Sequence, residues 1–292
     1  AWGLTMYANS LIQSTGGNIS ITSNGSSGGL YMGTTGGIYA SSNTATPTAT
    51  PTAGGTLTIS ATGASFYGIQ MASGSLVSFG AMSITARGAG AAQGMYVYGT
   101  GTFLAVADIT IDAATSGAHW GLDFSASRVM QSRSGDIFIT AVGNYGMYLS
   151  GSIAASTSTT DTSSSTVPAT GGSITISATG RTQQGLEMVA GSLIANNALT
   201  ITGSATGAYH GVYIAGVGGS LKAVGDVEIN ATSSGSQWSF YQINSRFIQS
   251  TTGDISITAT GGYGVYVSGG GFVAGNDLTT PTDGGSISIN ST

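Results

Sequence analysis

WGLTM at residues 2–6 returns as WGLDF at 120–124 and, more loosely, as WSFYQ at 238–242, so the three tryptophans fall 118 residues apart both times. The copies stay in step downstream. LIQSTGGNISIT (11–22) becomes FIQSTTGDISIT (247–258), Asp108 maps onto Asp226, Asp136 onto Asp254 and Arg128 onto Arg246. Repetition at a fixed period predicts an array that grows along one axis, each unit burying its apolar face against the next. The chain reads as one continuous array over 1–292, with super-repeats 2–119, 120–237 and a partial 238–292.

A shorter period lies inside the long one. Each unit divides into four rungs that open G-apolar-x-apolar: GLTM (Gly3), GLYM (Gly29), GIQM (Gly68) and GMYV (Gly94) in the first, GLDF (Gly121), GMYL (Gly146), GLEM (Gly185) and GVYI (Gly211) in the second. SFYQ (Ser239) and GVYV (Gly264) bring the total to ten. Rungs run 25 to 28 residues, except the second of each complete unit at 39. Two further apolar pieces follow each opening, a short one such as SLIQS or SLVSF and a longer apolar-x-apolar one such as Ile19-Ser20-Ile21 or Ile174-Thr175-Ile176. Alternation at period two, rich in Ile, Val, Thr and Tyr and punctuated by Gly, is the signature of half-buried strands. Three short strands per rung stack most simply as an all-β parallel solenoid, about 50 Å long at roughly 4.8 Å per rung. A propeller blade needs four strands in about 40 residues, which the 25-residue rung does not accommodate.

Composition narrows the function. Only 6% of residues are charged and the net charge is −5 with six Lys and Arg, which excludes the basic footprint that nucleic-acid binding requires. There is no cysteine, hence no disulfide and no thiolate metal site. No apolar run reaches the 18 residues of a membrane-spanning helix, no signal peptide is visible, and no cofactor motif is present. Both ends cut through the repeat, the expectation for a piece of a longer protein.

All four prolines fall in three Ser/Thr-rich inserts, at 40–54, 154–171 and 273–284, in the second rung of each unit. Pro cannot donate to a backbone ladder, so its exclusion from every rung supports the strand assignment. Each insert should leave the rod as a loop at one corner. Ser/Thr with Pro is the composition of O-glycosylated stalks, which makes Thr46, Thr48, Thr50, Thr52, Thr166, Thr280 and Thr282 candidates for that modification against the plainer reading of solvated loops. Asn-x-Ser/Thr triplets at Asn18, Asn24, Asn230 and Asn290 are expected by chance in so Ser/Thr-rich a chain.

Candidate sites follow from the repeat. Asp108, Asp136, Asp226 and Asp254 share one position before a strand, and the first pair should stack one rung apart, as should the second. Paired carboxylates are a weak calcium-site candidate; the plainer alternative is a turn Asp bonding the backbone two residues on. The residue between the two opening apolar positions should point outward: Thr5, Tyr31, Gln70, Tyr96, Asp123, Tyr148, Glu187, Tyr213, Tyr241 and Tyr266. Trp2, Tyr67, Trp120, Tyr145, Trp238 and Tyr263 precede the opening, so an aromatic stripe should line one face. Trp2, Tyr31, Tyr96, Trp120, Tyr148, Tyr213, Trp238 and Tyr266 are its candidate contacts for sugar rings or a partner rod; the alternative is that stacked tyrosines only stabilise neighbouring rungs. Gln242 falls at an inward position, which suggests a local slip of that rung. The longest strand should present Ser20, Thr58, Ser83, Thr110, Thr175, Thr200, Ser256 and Ser288 outward, but Phe138 and Glu228 interrupt the flat threonine ladder that ice binding would need. Asp108, Asp136, Asp226, Asp254, Arg128 and Arg246 obey the long period, and His119 and His210 stand in different units, so no unique catalytic cluster is expected.

GSLIANNALTITGSATG (Gly191–Gly207) and GGSITISATG (Gly171–Gly180) resemble the repeats of filamentous-haemagglutinin-type and autotransporter adhesins, and the resemblance extends over nearly all ten rungs. It implies a right-handed parallel β-solenoid, exported from a bacterium to the surface or the medium and displayed as a long fibre. The expectation is a non-enzymatic shaft segment that self-associates laterally or end to end. The alternatives are an adhesin recognising surface glycans through the aromatic stripe and, further off, a polysaccharide-degrading β-helix enzyme.

Overall fold

The computed structural model describes residues 1–33, 35–42, 52–125, 128–157, 170–216, 218–244, 246–276 and 284–292. They form a right-handed parallel β-solenoid of ten rungs, each contributing one strand to each of three ten-stranded sheets. The first rung supplies Leu4–Met6, Ser10–Gln13 and Ile19–Gly25 to sheets 1, 2 and 3; the tenth supplies Val265–Ser268, Gly271–Ala274 and Ile287–Ser291. Every strand pairs in parallel with its counterparts in the rungs before and after it. The described residues contain no helix.

The registers convert the sequence pattern into columns of side chains. In sheet 3, Ile21, Ile59, Ile84, Ile111 and Ile139 lie one above another, and the column continues through Ile176, Ile201, Ile229, Ile257 and Ile289. A β-branched side chain with one preferred rotamer can stack identically on itself at every rung, without voids between layers. Sheet 2 adds an inward column from Ile12 and Ile38 through Phe103 and Met130 to Ile248 and Phe272. Together they make one apolar core running from Met6 to Ala259. Beside the Ile column the next inward position holds mostly Ala, among them Ala61, Ala86, Ala113 and Ala231.

Gln242 is inward and fully buried, but the rung is not slipped. Tyr241 pairs with Tyr213 and Tyr266, and Gln242 with Ile214 and Val267, in the register of every other rung. The backbone ladder holds register through one wrong side chain because the flanking positions of the same strand still fit. The Ser/Thr column of sheet 3 faces outward, with Phe138 exposed among it.

All three inserts leave at one corner, between sheets 2 and 3 in rungs two, six and ten. Thr52 is exposed; Thr46, Thr48, Thr50, Thr166, Thr280 and Thr282 lie outside the described residues. The base of each insert is held from the rung below. Gln13 Nε2 donates to Ser41 O at 3.1 Å, Gln131 to Ser156 O at 2.8 Å and Gln249 to Gly275 O at 2.8 Å. Thus the Gln of LIQS, VMQS and FIQS marks, once per unit, the rung that precedes an insert.

Candidate functional site

Asp108, Asp136, Asp226 and Asp254 stack in pairs, and the stacking defines their role. Asp108 Oδ1 accepts the backbone N–H of Asp136 at 2.8 Å, and Asp136 Oδ1 that of Ser173 at 2.7 Å. Asp226 and Asp254 repeat this toward Asp254 and Ser286, and Asn18 does so toward Thr56 at 2.9 Å. The side chain therefore bonds the next rung rather than the backbone two residues on. Each acceptor requires a glycine above it. A Cβ on Gly55, Gly135, Gly172, Gly253 or Gly285 would stand 2.2 to 2.4 Å from the accepting oxygen. With an Oδ1 in each turn already engaged, the column works as an inter-rung staple, and no group of three or more metal-ligating side chains occurs among the described residues.

The aromatic stripe lies where sheet 1 meets the turn before it. The column between the two opening apolar positions keeps register at all ten rungs, from Thr5 and Tyr31 to Tyr241 and Tyr266, and its side chains are half-buried except Asp123, which is buried. Trp2, Tyr31, Tyr96, Trp120, Tyr148, Tyr213, Trp238 and Tyr266 are all half-buried. Their rings pack mainly on one another and form three clusters. Near the start, Trp2 lies over Gly28, where a Cβ would come within 2.2 Å of the indole, and so reaches Tyr67 in a stacked contact at 6.3 Å. Tyr67, Tyr96 and Tyr98 extend this cluster. In the middle Trp120 packs on Tyr145 and Tyr148 at 4.5 and 5.5 Å. Toward the far end Tyr213, Tyr241 and Tyr266 stack in succession, flanked by His210 and Trp238.

Two carboxylates separate the clusters. Asp123 stands between Tyr96 and Tyr148, and Glu187 between Tyr148 and Tyr213. Burial pushes both carboxyls above their ordinary range, for Asp123 against hydrogen bonds from Ser125 and Gln93. Both also hold neighbouring tyrosines in the phenol form, after burial itself. Two rungs apart, their backbones are separated by roughly 10 Å, with the Tyr148 rung between them.

Sequence reasoning read Arg128 and Arg246 only as repeat markers. Both are buried at the edge of sheet 2. Arg128 donates from Nε and Nη2 to Tyr98 O and from Nη1 to Gly74 O, tying three rungs together, and burial lowers its pKa to about 10. Among the described residues the Arg246 guanidinium donates from Nη1 to Gly191 O, and its buried Nε and Nη2 have no partner. The signal was present: a charged residue just before a strand, returning at 118 residues, is under structural constraint. Tyr98, Tyr209 and His210 also belong to this face and were not read as part of it: Tyr98 and Tyr209 fall beside its two sequence columns, and His210 stands in the column before the opening but is neither Trp nor Tyr.

Comparison with protein-family models, with curated proteins and with solved structures returned no match.

Proposed function

We propose that this chain is a shaft segment of a large exported filament or adhesin, a stiff rod that repeats its lateral contact points once per 118-residue unit. The observation that carries the reading is the regularity: three parallel sheets continue through all ten rungs in constant register. Side-chain devices that bind rung to rung, the Asp/Asn staples and the Gln-held insert bases, recur with the same long period. Selection for one catalytic point would spoil the repeat locally, whereas here the four staple aspartates and Arg128 with Arg246 return at the long period. Aromatic rings packed on one another support stiffness along the stripe, and a parallel solenoid with few charges suits a fibre held together by backbone ladders. Export to a cell surface, self-association and glycosylation of the inserts belong to this proposal.

Immunogold microscopy on the cells that make the protein tests it. Label along extended filaments, at regular intervals, is expected. Label confined to a diffuse secreted pool, together with release of reducing ends from a polysaccharide panel, would replace the shaft with the β-helix enzyme.

A further inference from the structure

Glu187 is a carboxylate without a partner. It stands in the outer column of sheet 1, one rung from Tyr148 on one side and Tyr213 on the other. Among the described residues it makes no ion pair and accepts no hydrogen bond, and burial alone raises its pKa. The other carboxylate of the column, Asp123, is held by Ser125 and Gln93. Glu187 is half-buried, so its charge lies close under the surface.

Beside it lies a cleft of about 400 Å³, within the size range of small-ligand sites. Tyr209, Tyr213, Trp238 and Tyr241 give the cleft aromatic walls. Rings packed on one another hold those walls in place: Tyr241 on His210 at 4.6 Å, Trp238 on Tyr266 at 5.2 Å. No positive charge competes for the space. The His210 ring is fixed by Trp238 O, 2.8 Å from Nδ1, and burial lowers its pKa, so it is neutral at pH 7. Arg181, the cation nearest Gln184 in the chain, reaches back to Thr115 O toward earlier rungs. Gln184 lines the cleft, but its Oε1 is buried out of a ligand's reach. Only Gln237 and His210 are left to accept, so a ligand rich in N–H or O–H donors would leave most of them unmatched. A quaternary ammonium has no such donor to satisfy, and aromatic faces attract it.

We propose that this cleft binds a small quaternary ammonium ion, its methyl groups against the aromatic walls and its charge balanced by Glu187 one rung away. The set is not repeated one unit earlier. There Gln70 stands in place of Glu187 and donates to the Tyr98 hydroxyl at 3.4 Å, and Ala92 and Asp123 replace Tyr209 and Tyr241. The inference goes beyond the shaft reading and does not depend on it.

Ligand-observed NMR titrations of the 292-residue chain test it, with choline and its uncharged tert-butyl analogue, in which carbon replaces nitrogen, as probes. Choline should bind about fivefold or more tighter than the analogue. Glu187→Gln should weaken choline about threefold or more and leave the analogue unchanged. Tyr209→Ala should weaken choline about threefold, and Phe138→Ala, an exposed ring on sheet 3, should leave it unchanged. Far-UV circular dichroism of each variant separates lost binding from lost fold. No binding of choline, equal binding of the analogue, or a Glu187→Gln variant that folds and binds choline as before overturns the proposal. So does tighter binding of methyl glucoside than of choline. None of these results touches the shaft reading, which rests on filament imaging.

Discussion

Replacing Gln242 by methionine should stabilise the rod. Gln242 is fully buried in an inward column whose other nine places are Met6, Met32, Met71, Val97, Phe124, Leu149, Met188, Ile214 and Val267. Its Nε2 donates to Arg246 O at 2.9 Å, while its Oε1 has no partner. Deleting the amide removes an unsatisfied buried acceptor, a gain of about 1–3 kcal/mol, and loses one hydrogen bond of about 0.5–1.5 kcal/mol. Arg246 O is not orphaned, because Gly271 N–H also donates to it at 3.2 Å. Methionine conserves length and flexibility, so overpacking adds little. The expected net is about 1 kcal/mol of stabilisation, a rise in Tm of roughly 2 °C for a chain of this size. Thermal melts followed by far-UV circular dichroism and matched denaturant titrations measure it. The converse change at the equivalent place, Phe124→Gln, removes a buried ring packed on Phe103 at 5.8 Å and should cost about 3 kcal/mol or more. If Gln242→Met destabilises by more than 1 kcal/mol, the unmet oxygen is not a liability and the reasoning fails.

Gly135→Ala places a Cβ 2.3 Å from Asp108 Oδ1 and 2.5 Å from its backbone nitrogen, and should cost about 1–3 kcal/mol, whereas Gly80→Ala, whose nearest neighbour is Thr56 Cγ2 at 3.1 Å, should cost less; equal losses in thermal melts would contradict the staple. Asp123→Asn tests the buried carboxyl. Its folded pKa is raised, so the folded state binds the proton more tightly and wild-type stability falls as pH climbs from the unfolded value, near 3.9, through the folded one. The Tm advantage of Asp123→Asn should therefore grow across that window and level off above it; a pH-independent difference would remove burial as the cause. At Asp254 the sign reverses. Hydrogen bonds from the Ser286 N–H and hydroxyl hold its carboxyl below the usual range, so its contribution is present above the unfolded pKa and is lost as pH falls through the folded one. In Ser286→Ala only the N–H bond remains, and an NMR titration should find the Asp254 pKa moved part of the way back.

The fold was legible because its determinants are local and repeated. The openings from Gly3 to Gly264 mark ten rungs, and the Ile-x-Ile pairs mark the longest strand, so counting recovers three strands per turn before any contact is known. A solenoid contacts only its neighbours, and a pattern in sequence becomes a pattern in space with no folding-back to guess. What could not be read were the contacts that depend on two rungs at once. Asp108 suggests a turn until Gly135 is placed above it, and the Gly that recurs one rung after each Asn or Asp is the trace the pairing leaves. The inserts fall between sheets 2 and 3, yet the glutamines that hold their bases sit in the preceding rung, where LIQS looks like any other strand. The stripe was visible as two columns of Trp and Tyr, but the stacking of His210 on Tyr241 is a side-chain orientation that spacing does not encode.

Cryo-electron microscopy of filaments sheared from the producing cells tests the central claim most directly. Strands should run across the filament with an axial spacing of about 4.8 Å, and the four-rung unit should add a longer axial period of about 19 Å. Density of a three-sided solenoid at that double period, decorated at one corner by the inserts, is the predicted result. Filaments lacking both spacings, or a surface with no filament that carries this chain, would contradict it.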